Sequence, residues 1–238
     1  MTQLSEGSPD LFKRRHFDSE IIILCVRWYL TYKLSYRDLK AMMAERGIGI
    51  AHTTIMRWVQ RYVPEFEKHW RRYARPVGTS WRVDETYIKI RGQWSYLYRC
   101  VDKEGQTVDF LLSEHRNIAA AKSFFARAIE KQGIPQKITL DGYAASHAAV
   151  AALQEEGVLP PNLTVRANKY LNNVIEQDHR RVKQRVRPML GFKRFDHAAI
   201  TITGIELVHQ IQKQQFDLSA ICVPYTRTPQ VWEAVLAA

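Results

Sequence analysis

Residues 138–141, ITLD, form an apolar run that ends in Asp141, and residues 172–183, NNVIEQDHRRVK, form a polar segment with helical periodicity. Glu176 follows Asp141 by 35 positions, and Lys183 follows Glu176 by seven, which is two helical turns and so the same face. A third carboxylate, Asp84, lies in residues 80–90, SWRVDETYIKI, whose alternation predicts a strand. These four side chains form one candidate site.

The residue types of this candidate site suit phosphodiester chemistry. Mg²⁺ is a hard ion that prefers oxygen ligands and is usually held by a few carboxylates together with substrate phosphate. Two such ions about 4 Å apart activate the attacking oxygen and stabilise the leaving oxygen of an in-line displacement. Asp84, Asp141 and Glu176 are therefore predicted to hold Mg²⁺, for which Mn²⁺ is expected to substitute, and Lys183 is predicted to bind phosphate.

The same residues resemble the DDE motif of transposases and retroviral integrases, whose catalytic domain has an RNase H-like fold. From about residue 12 to about residue 213, the chain is similar to the compact bacterial transposases of the insertion sequence six family. The resemblance is carried by an ordered set of short motifs: RWY at 27–29, LSYRDL at 34–39, ERG at 45–47, TIMRWV at 54–59, VDETY at 83–87 and NNVIE at 172–176. It implies a DNA transposase and a two-metal polynucleotidyl transferase.

Three helices with a short glycine-containing turn between the last two predict a helix-turn-helix over residues 19–64. Ser19 is the expected N-cap of the first helix. Ser35 and Asp38 have the spacing of a capping box for the second helix, which is expected to end at Gly47.

The third helix is predicted over residues 52–62, with Pro64 stopping it. Ile55, Trp58, Val59 and Tyr62 share one face and are expected to be buried. The outward face is expected to read DNA, base edges near its start and phosphate through its basic residues. It comprises Thr53, Thr54, Arg57, Gln60 and Arg61. A plain helical hairpin with a solvated basic face is the alternative.

Residues 65–79 combine basic and aromatic side chains before a proline and a glycine. They predict a basic linker in which Arg71 and Arg72 follow a phosphate backbone. The alternative is a helix tail whose Trp70 and Tyr73 pack on the core.

Residues 80–195 predict a mixed five-stranded sheet flanked by helices, in the order of an RNase H-like fold. The expected strands are 81–90, 94–101, 107–113, 137–140 and 163–166, with helices over 117–131, from 143 through 156 and over the segment that carries Glu176. Residues 1–18 are expected to be a flexible tail. Residues 196–238 are expected to be a helix that closes the fold or contacts a second copy, followed by a tail.

Each strand-borne aspartate has a competing interpretation. Asp84 precedes Glu85, and only one of them can face the site because strand neighbours point to opposite faces. Asp84 is chosen by the resemblance. Asp141 precedes a glycine, so it is also a candidate turn residue.

On the helix that carries Glu176, the competing carboxylate is Asp178, which lies on a different face. Ile175, Val182, Val186 and Met189 are expected to form the buried stripe. Arg180, Lys183 and Arg187 share the face of Glu176 and are expected to contact DNA, although Lys183 is also explained as a solvated lysine. His179 is interpreted as a structural histidine rather than a DNA contact.

The net charge of +11 and the pI of about 9.7 favour an anionic partner, nucleic acid first. Three cysteines, Cys25, Cys100 and Cys222, lie far apart and indicate buried thiols in a reducing compartment. Neither a signal peptide nor an apolar run of the roughly 20 residues that a membrane span needs is recognisable. A bacterial cytoplasmic protein that associates with the nucleoid when acting is predicted.

The predicted function is Mg²⁺-dependent transposition. The chain is expected to bind the terminal inverted repeats of its own element as double-stranded DNA, free a 3′-OH at each end, and join it to target DNA with cointegrate formation. Two element ends must be held together, so a homodimer or higher oligomer is expected. The alternatives are an RNase H-like nuclease without strand transfer and a sequence-specific DNA-binding regulator whose catalytic core has lapsed.

Overall fold

The computed structural model describes residues 10–12, 16–167, 173–189, 191–221 and 228–237. They fall into two units: unit 1 holds the described parts of residues 1–75, 185–190 and 196–238, and unit 2 holds those of residues 76–184 and 191–195. Most of the predicted N-terminal tail and Asn172 lie outside the described residues. None of the helices in the described ranges is long and apolar enough to cross a membrane.

Unit 2 is built on one sheet of five strands in the order β3-β2-β1-β4-β5. The strands are β1 (Ser80–Ile90), β2 (Gln93–Asp102), β3 (Thr107–Ser113), β4 (Lys137–Leu140) and β5 (Thr164–Ala167). The first three form an antiparallel meander, whereas β4 runs parallel to β1 and β5 runs parallel to β4. The predicted mixed five-stranded sheet is confirmed, with strand ends that differ by at most one residue.

Three helices belong to the sheet: α4 (Ile118–Gln132), α5 (Ala144–Glu155) and α6 (Asn173–Val186). α4 begins where Asn117 accepts a hydrogen bond from the Ala120 amide (2.9 Å) and ends at Gly133, whose φ of 80° suits glycine. α4 and α5 cover one face of the sheet and bury its apolar side chains. This core includes Trp81, Val83, Tyr98, Phe124, Phe125, Ile138, Leu140, Val150 and Leu153.

Unit 1 is helical. Its helices are α1 (Ser19–Thr31), α2 (Tyr36–Ala44), α3 (His52–Arg71), α7 (Phe195–Gln212) and α8 (Thr228–Ala237). The predicted capping box is confirmed, because Ser35 and Asp38 exchange both of its hydrogen bonds. The N-cap expected at Ser19 is wrong by one residue: Asp18 holds the extended cap conformation, and Ser19 already belongs to α1.

The prediction that Pro64 stops the third helix is wrong, because α3 continues through Pro64 to Arg71. Proline removes one backbone donor, a loss that tertiary packing can outweigh. Here Phe66 and Trp70 are buried and pack on Trp232 of α8, with ring centroids 5.5 and 5.4 Å apart. Of the two interpretations of residues 65–79, the helix tail with a buried Trp70 is the one observed.

Helix α7 packs closely within unit 1. A Cβ on Gly204 would lie 2.6 Å from Leu30 Cδ2 and 3.1 Å from Val63 Cγ1, so a side chain there would displace its neighbours in α1 and α3. The tail expected after residue 215 is wrong for residues 228–237, because they form α8 and bury Trp232, Val235 and Leu236.

Candidate active site

Asp84 lies within β1, and Asp141 directly follows the carboxyl end of β4. The parallel pairing of the two strands ends at Val83 and Leu140, so the residues that follow them, Asp84 and Asp141, are neighbours. Ligand sites of open α/β sheets gather outside such strand ends. The structure therefore brings the two predicted aspartates together where β4 ends beside the central strand β1.

Each aspartate is held by a backbone amide close to it in sequence. Asp84 Oδ1 accepts from the Glu85 amide at 2.8 Å, and Asp141 Oδ1 accepts from the Tyr143 amide at 3.1 Å. The second bond is an Asx-type turn. Asp141 is thus a turn residue as well as a candidate site residue, and the turn fixes one oxygen of its carboxylate.

Glu176 lies in the first turn of α6 and is exposed, while Ile175 and Val182 of the same helix are buried. The pKa of Asp84 is raised to about 6, chiefly because burial disfavours the charged form. The negative charges of Asp141, Glu85 and Glu176 raise this pKa further. The three predicted carboxylates therefore share one electrostatic environment.

The described residues contain no ready-made group of three His, Cys, Asp or Glu side chains that could hold a metal ion. The donor set nevertheless fits a hard divalent cation, since it consists of carboxylate oxygens. The repulsion that raises the pKa of Asp84 points the same way, because a cation between these carboxylates would relieve it.

Glu85 faces the side of the sheet opposite to Asp84. Its carboxylate accepts from Arg116 Nε at 2.7 Å and from Ser146 Oγ at 2.7 Å, and its side chain is buried. Glu85 is therefore fully engaged in an ion pair and a hydrogen bond. Strand alternation separates the two neighbours as predicted.

Arg116 links the surroundings of both aspartates, and sequence reasoning missed it. Its guanidinium lies 3.6 Å from the ring centroid of Tyr143, and its backbone oxygen accepts from the Tyr143 hydroxyl at 2.8 Å. It also donates to Tyr87 Oη at 2.8 Å. Because the amides of Glu85 and Tyr143 hold the two aspartates, Arg116 joins the two residues that orient them. An arginine before an N-cap carries no sequence signal for this role.

Asp178, the competitor of Glu176, is engaged on the buried side of α6. Arg99 of β2, which is 0% exposed, donates to Asp178 Oδ2 at 3.3 Å. An arginine in the otherwise apolar run of β2 was the available signal for this buried pair, and it was missed. His179 is also buried, with Nε2 3.9 Å from Asp84 Oδ2. Burial, followed by the charges of Arg99 and Lys183, lowers the pKa of His179 to about 3.

The cations of α6 divide between the units. Arg180 and Lys183 are exposed in unit 2, on the helix of Glu176. The prediction for Arg187 needs correction, because α6 ends at Val186 and Arg187 lies exposed in a 3-10 turn that belongs to unit 1. Ile175 and Val182 are buried as predicted. Val186 and Met189 are only half-buried, since Arg185 takes the buried position and donates to the Tyr29 carbonyl at 2.7 Å.

On α3, the predicted outward residues are placed unequally. Thr53, Arg57 and Arg61 are exposed, and Thr54 is half-buried. Gln60 does not point outward: it donates to Thr201 of α7 at 3.4 Å, a contact that depends on a helix 141 positions away in the chain. Further along, Arg71 pairs with Glu67 at 2.5 Å, and Arg72 is an exposed helix C-cap.

The sheet order and the two neighbouring aspartates fit a DDE-type polynucleotidyl transferase domain. A family model described as a DDE domain matches residues 78–215. The transposase for the insertion sequence-like element IS431mec of Staphylococcus aureus strain N315 is 39% identical over 203 residues, 85% of this chain and 89% of the relative. The transposase for the insertion sequence element IS257 in transposon Tn4003 of Staphylococcus aureus is 38% identical over the same shares. The chain therefore belongs to the DDE transposases of the insertion sequence six family.

Solved integrase structures are similar at low sequence identity. The catalytic core domain of HTLV-2 integrase, solved with magnesium, has a TM-score of 0.44 and 15% identity over 58% of this chain and 90% of that one. The catalytic core domain of BIV integrase has a TM-score of 0.41 and 14% identity over 55% and 83% of the two chains.

Proposed function

We propose that this transposase binds the terminal inverted repeats of its own element, hydrolyses a phosphodiester at each end, and joins the freed 3′-OH to target DNA to form cointegrates. The observation that carries the proposal is the parallel pairing of Val83 with Leu140, which places Asp84 beside Asp141. The charge of Glu176 acts on the same site.

Asp84, Asp141 and Glu176 are the residues that would hold two Mg²⁺, with Mn²⁺ as a substitute. When bound, the ions supply charge stabilisation for the attacking and leaving oxygens of an in-line displacement. The amides of Glu85 and Tyr143 orient the two aspartates. Lys183, exposed two turns beyond Glu176, binds phosphate beside the scissile bond, and Arg180 offers a second cation on that helix.

Both steps use one site because water and a 3′-OH are similar nucleophiles. In hydrolysis, the oxygen of water bonds to phosphorus and the bond from phosphorus to the 3′ oxygen of the element breaks. The element end keeps a 3′-OH, and the flanking strand keeps a 5′-phosphate. In the second step that 3′-OH attacks a target phosphorus, and a target 3′ oxygen leaves. No covalent bond between protein and DNA is formed.

Unit 1 supplies sequence recognition in this proposal. Residues 19–64 act as the helix-turn-helix, with the start of α3, including Thr53 and Thr54, near base edges and Arg57 and Arg61 on phosphates. Arg71, Arg72 and Arg187 add phosphate contacts. The net charge of +11 supports an anionic partner of this kind.

We further propose that the transposase acts as a homodimer or higher oligomer, because one reaction must hold two element ends. The place of action is the bacterial cytoplasm, at the nucleoid. A regulator that only binds the repeats and a nuclease that only cuts them remain the competing functions, and a single assay separates them.

The test is strand transfer with purified protein, a labelled duplex that ends in the element's own inverted repeat, a supercoiled target plasmid and Mg²⁺. Joined product is expected from the wild type and from Glu114→Gln, a matched change at an exposed glutamate of the same unit. Glu176→Gln is expected to abolish it.

Product that persists in Glu176→Gln would show that the third carboxylate is another residue. Cleavage without joining by the wild type would establish the nuclease. Repeat binding without cleavage or joining, even in Mn²⁺, would establish the regulator.

A further inference from the structure

The outer part of the β1–β2 hairpin carries a cluster of side chains that the proposed function does not use. We name it the hairpin patch: Tyr87, Lys89, Trp94 and Tyr96. Tyr87 pairs with Tyr96 across the two strands, and Lys89 pairs with Trp94, so all four point to one face. The ring of Tyr87 lies 6.1 Å from that of Trp94 and 5.5 Å from that of Tyr96, each at a steep angle. Lys89 Nζ lies 5.5 Å from the Trp94 ring centroid.

This face is exposed only at its outer end. Toward the start of β1 it is buried under α4 and α5, where Trp81, Val83 and Tyr98 contribute to the core. Beyond Glu85 that cover ends, and Tyr87 and Trp94 remain 45% and 57% exposed. Within the described ranges, the strongly exposed aromatic side chains are these two and Tyr32. Exposed aromatic side chains in mutual contact are typical of binding surfaces.

The surroundings of the outer end of the hairpin patch are cationic. Residues 86–97 contain no acidic residue, and they contain Lys89 and Arg91. At the inner end, Glu85 on the same face is paired with Arg116, so these two charges offset each other. The Arg91 amide donates to the Phe192 carbonyl at 2.8 Å and Arg91 Nε donates to the Lys193 carbonyl at 2.5 Å, which brings a further lysine to the hairpin tip. Arg116 stands over Tyr87 on the inner side, at 5.5 Å from the ring centroid.

Arg91 also occupies a backbone conformation that an arginine rarely adopts. Its φ is 51° and that of Gly92 is 81°, the pattern of a two-residue turn that asparagine and glycine fill most easily. The hydrogen bonds to residues 192 and 193 hold it there. Arg91 therefore keeps its positive charge at the hairpin tip, although this backbone conformation is unfavourable for an arginine.

We propose that the hairpin patch is a stacking site for unpaired bases of a DNA strand. Aromatic rings stack on nucleobases of any sequence, and nearby cations bind the phosphates of the same strand. Bases inside a duplex already stack on their neighbours, so only unpaired bases offer a free face to Tyr87 or Trp94. An apolar protein partner fits less well, since it would have to cover Lys89 and lie among Arg91 and Lys193.

This inference rests on the proposed function for its substrate. Joining one 3′-OH to target DNA leaves the complementary strand of the element end unjoined, so the product is branched and has unpaired nucleotides. Tyr87 is three residues after Asp84 on β1 and lies on the other face of the sheet. The hairpin patch is thus suited to hold the strand that does not react.

The test is a binding experiment without metal, so that it does not depend on catalysis. The probe is a duplex with a short unpaired tail that contains 2-aminopurine, compared with the same duplex with a blunt end, both in EDTA. Wild-type protein is expected to bind the tailed duplex about 5- to 100-fold more tightly and to quench the 2-aminopurine fluorescence.

Trp94→Ala is expected to remove both the preference and the quenching, whereas Trp94→Phe retains most of each because a ring remains. Tyr32→Ala, at the exposed aromatic of unit 1, serves as the matched control and retains both. Circular dichroism of Trp94→Ala checks that the sheet is intact. Asp84→Asn is expected to keep the preference while losing strand transfer, which separates this proposal from the catalytic one.

Three results would overturn the proposal. Equal binding of tailed and blunt duplexes by the wild type would show that no stacking site exists. Equal weakening of both duplexes in Trp94→Ala would show that the patch contributes only general affinity. A dimer that becomes a monomer in Trp94→Ala, with the tail preference unchanged, would show that the patch joins two copies of the chain.

Discussion

Asp84 and Glu85 are neighbouring carboxylates on β1, but they lie on opposite faces of the strand and in opposite electrostatic surroundings. On one face, Glu85 is matched by the cation of Arg116 and by the hydroxyl of Ser146. On the other face, Asp84 is half-buried beside further carboxylates and a neutral His179, and its pKa rises to about 6.

The difference shows which of the two carboxylates lowers the stability of the folded state. An opposite charge offsets much of the cost of burying a carboxylate, whereas like charges nearby add to that cost. Natural proteins accept such conflicts mainly at functional sites. This contrast supports the proposal that the face of Asp84 is the functional face and that the face of Glu85 supports it.

The largest effect on strand transfer is expected from neutralising the carboxylate on each face of β1 in turn. Asp84→Asn should lower strand transfer by about 10³-fold or more, since a metal-ligating carboxylate contributes several kcal/mol to the transition state. Glu85→Gln should keep activity within about tenfold, because a glutamine amide oxygen can still accept from Arg116. Initial rates of joining under saturating Mg²⁺ measure both.

If the two variants lose strand transfer equally, both faces of β1 contribute to catalysis, and the proposed difference between them is wrong. A spectroscopic check of folding is needed for Glu85→Gln, whose loss of a buried charged hydrogen bond costs about 1–3 kcal/mol.

The next effect concerns stability and pH. In EDTA, Asp84→Asn should be more stable than the wild type by about 2–3 kcal/mol above pH 7, because the folded protein must ionise a group whose pKa is near 6 rather than 3.8. Below pH 3.8 the aspartate is neutral in both states, so its contribution to folding is fully present. The wild type loses this contribution as the pH rises through about 6 and Asp84 ionises in the folded state. The variant has no ionisable side chain at this position and does not lose it.

Urea unfolding at pH 5 and pH 8 measures this difference through the midpoint at constant slope. Mg²⁺ should narrow the gap at pH 8 by stabilising only the wild type. A wild type that is the more stable protein at pH 8 in EDTA would mean that hydrogen bonds to Asp84 outweigh its burial.

The sequence predicted unit 2 well because its strands are clearly bounded by turn residues. Thr107–Ser113 and Lys137–Leu140 match the predicted strands residue for residue, the second lying between Pro135 and an Asp-Gly turn. Strand alternation alone separated Asp84 from Glu85. The choice between them came from the resemblance and not from the pattern.

The features that the sequence did not predict depend on contacts between residues far apart in the chain. α3 passes Pro64 because Phe66 and Trp70 pack on Trp232, a residue with no local relation to them. Gln60 turns inward for the same kind of reason, through α7. Arg116 was missed because its partners are Glu85 and Tyr87 of β1 and Tyr143 before α5, which only the folded chain brings together.

A smaller effect is expected at Arg116, which supports both aspartates without belonging to the site. Arg116→Ala should weaken Mg²⁺ binding about 10-fold, as is typical when a group that orients a metal ligand is removed. Arg116→Lys should recover part of the ion pair with Glu85 but not the contact with the Tyr143 ring. Metal affinity, measured by the Mg²⁺ dependence of the joining rate, distinguishes this role from a loss of stability alone.

If Arg116→Ala lowers the unfolding midpoint but leaves the Mg²⁺ dependence unchanged, the network around Glu85 is structural only. The two faces of β1 would then be independent of each other.

The smallest effect is expected at His179, the neighbour of Asp84 on the functional face. Its Nε2 is 3.9 Å from Asp84 Oδ2, beyond the roughly 3.2 Å limit of a good hydrogen bond, and its pKa of about 3 leaves it neutral under all working conditions. His179→Gln should therefore change the joining rate by less than about threefold. It should also leave the acid limb of the pH–rate profile in place, because shifting the pKa of Asp84 by one unit requires an interaction of about 1.36 kcal/mol. Rates measured from pH 5.5 to pH 8.5 test this directly. An acid limb that moves by a full unit in the variant would mean that a charged His179 offsets Asp84, and the functional face would then be paired much as the face of Glu85 is.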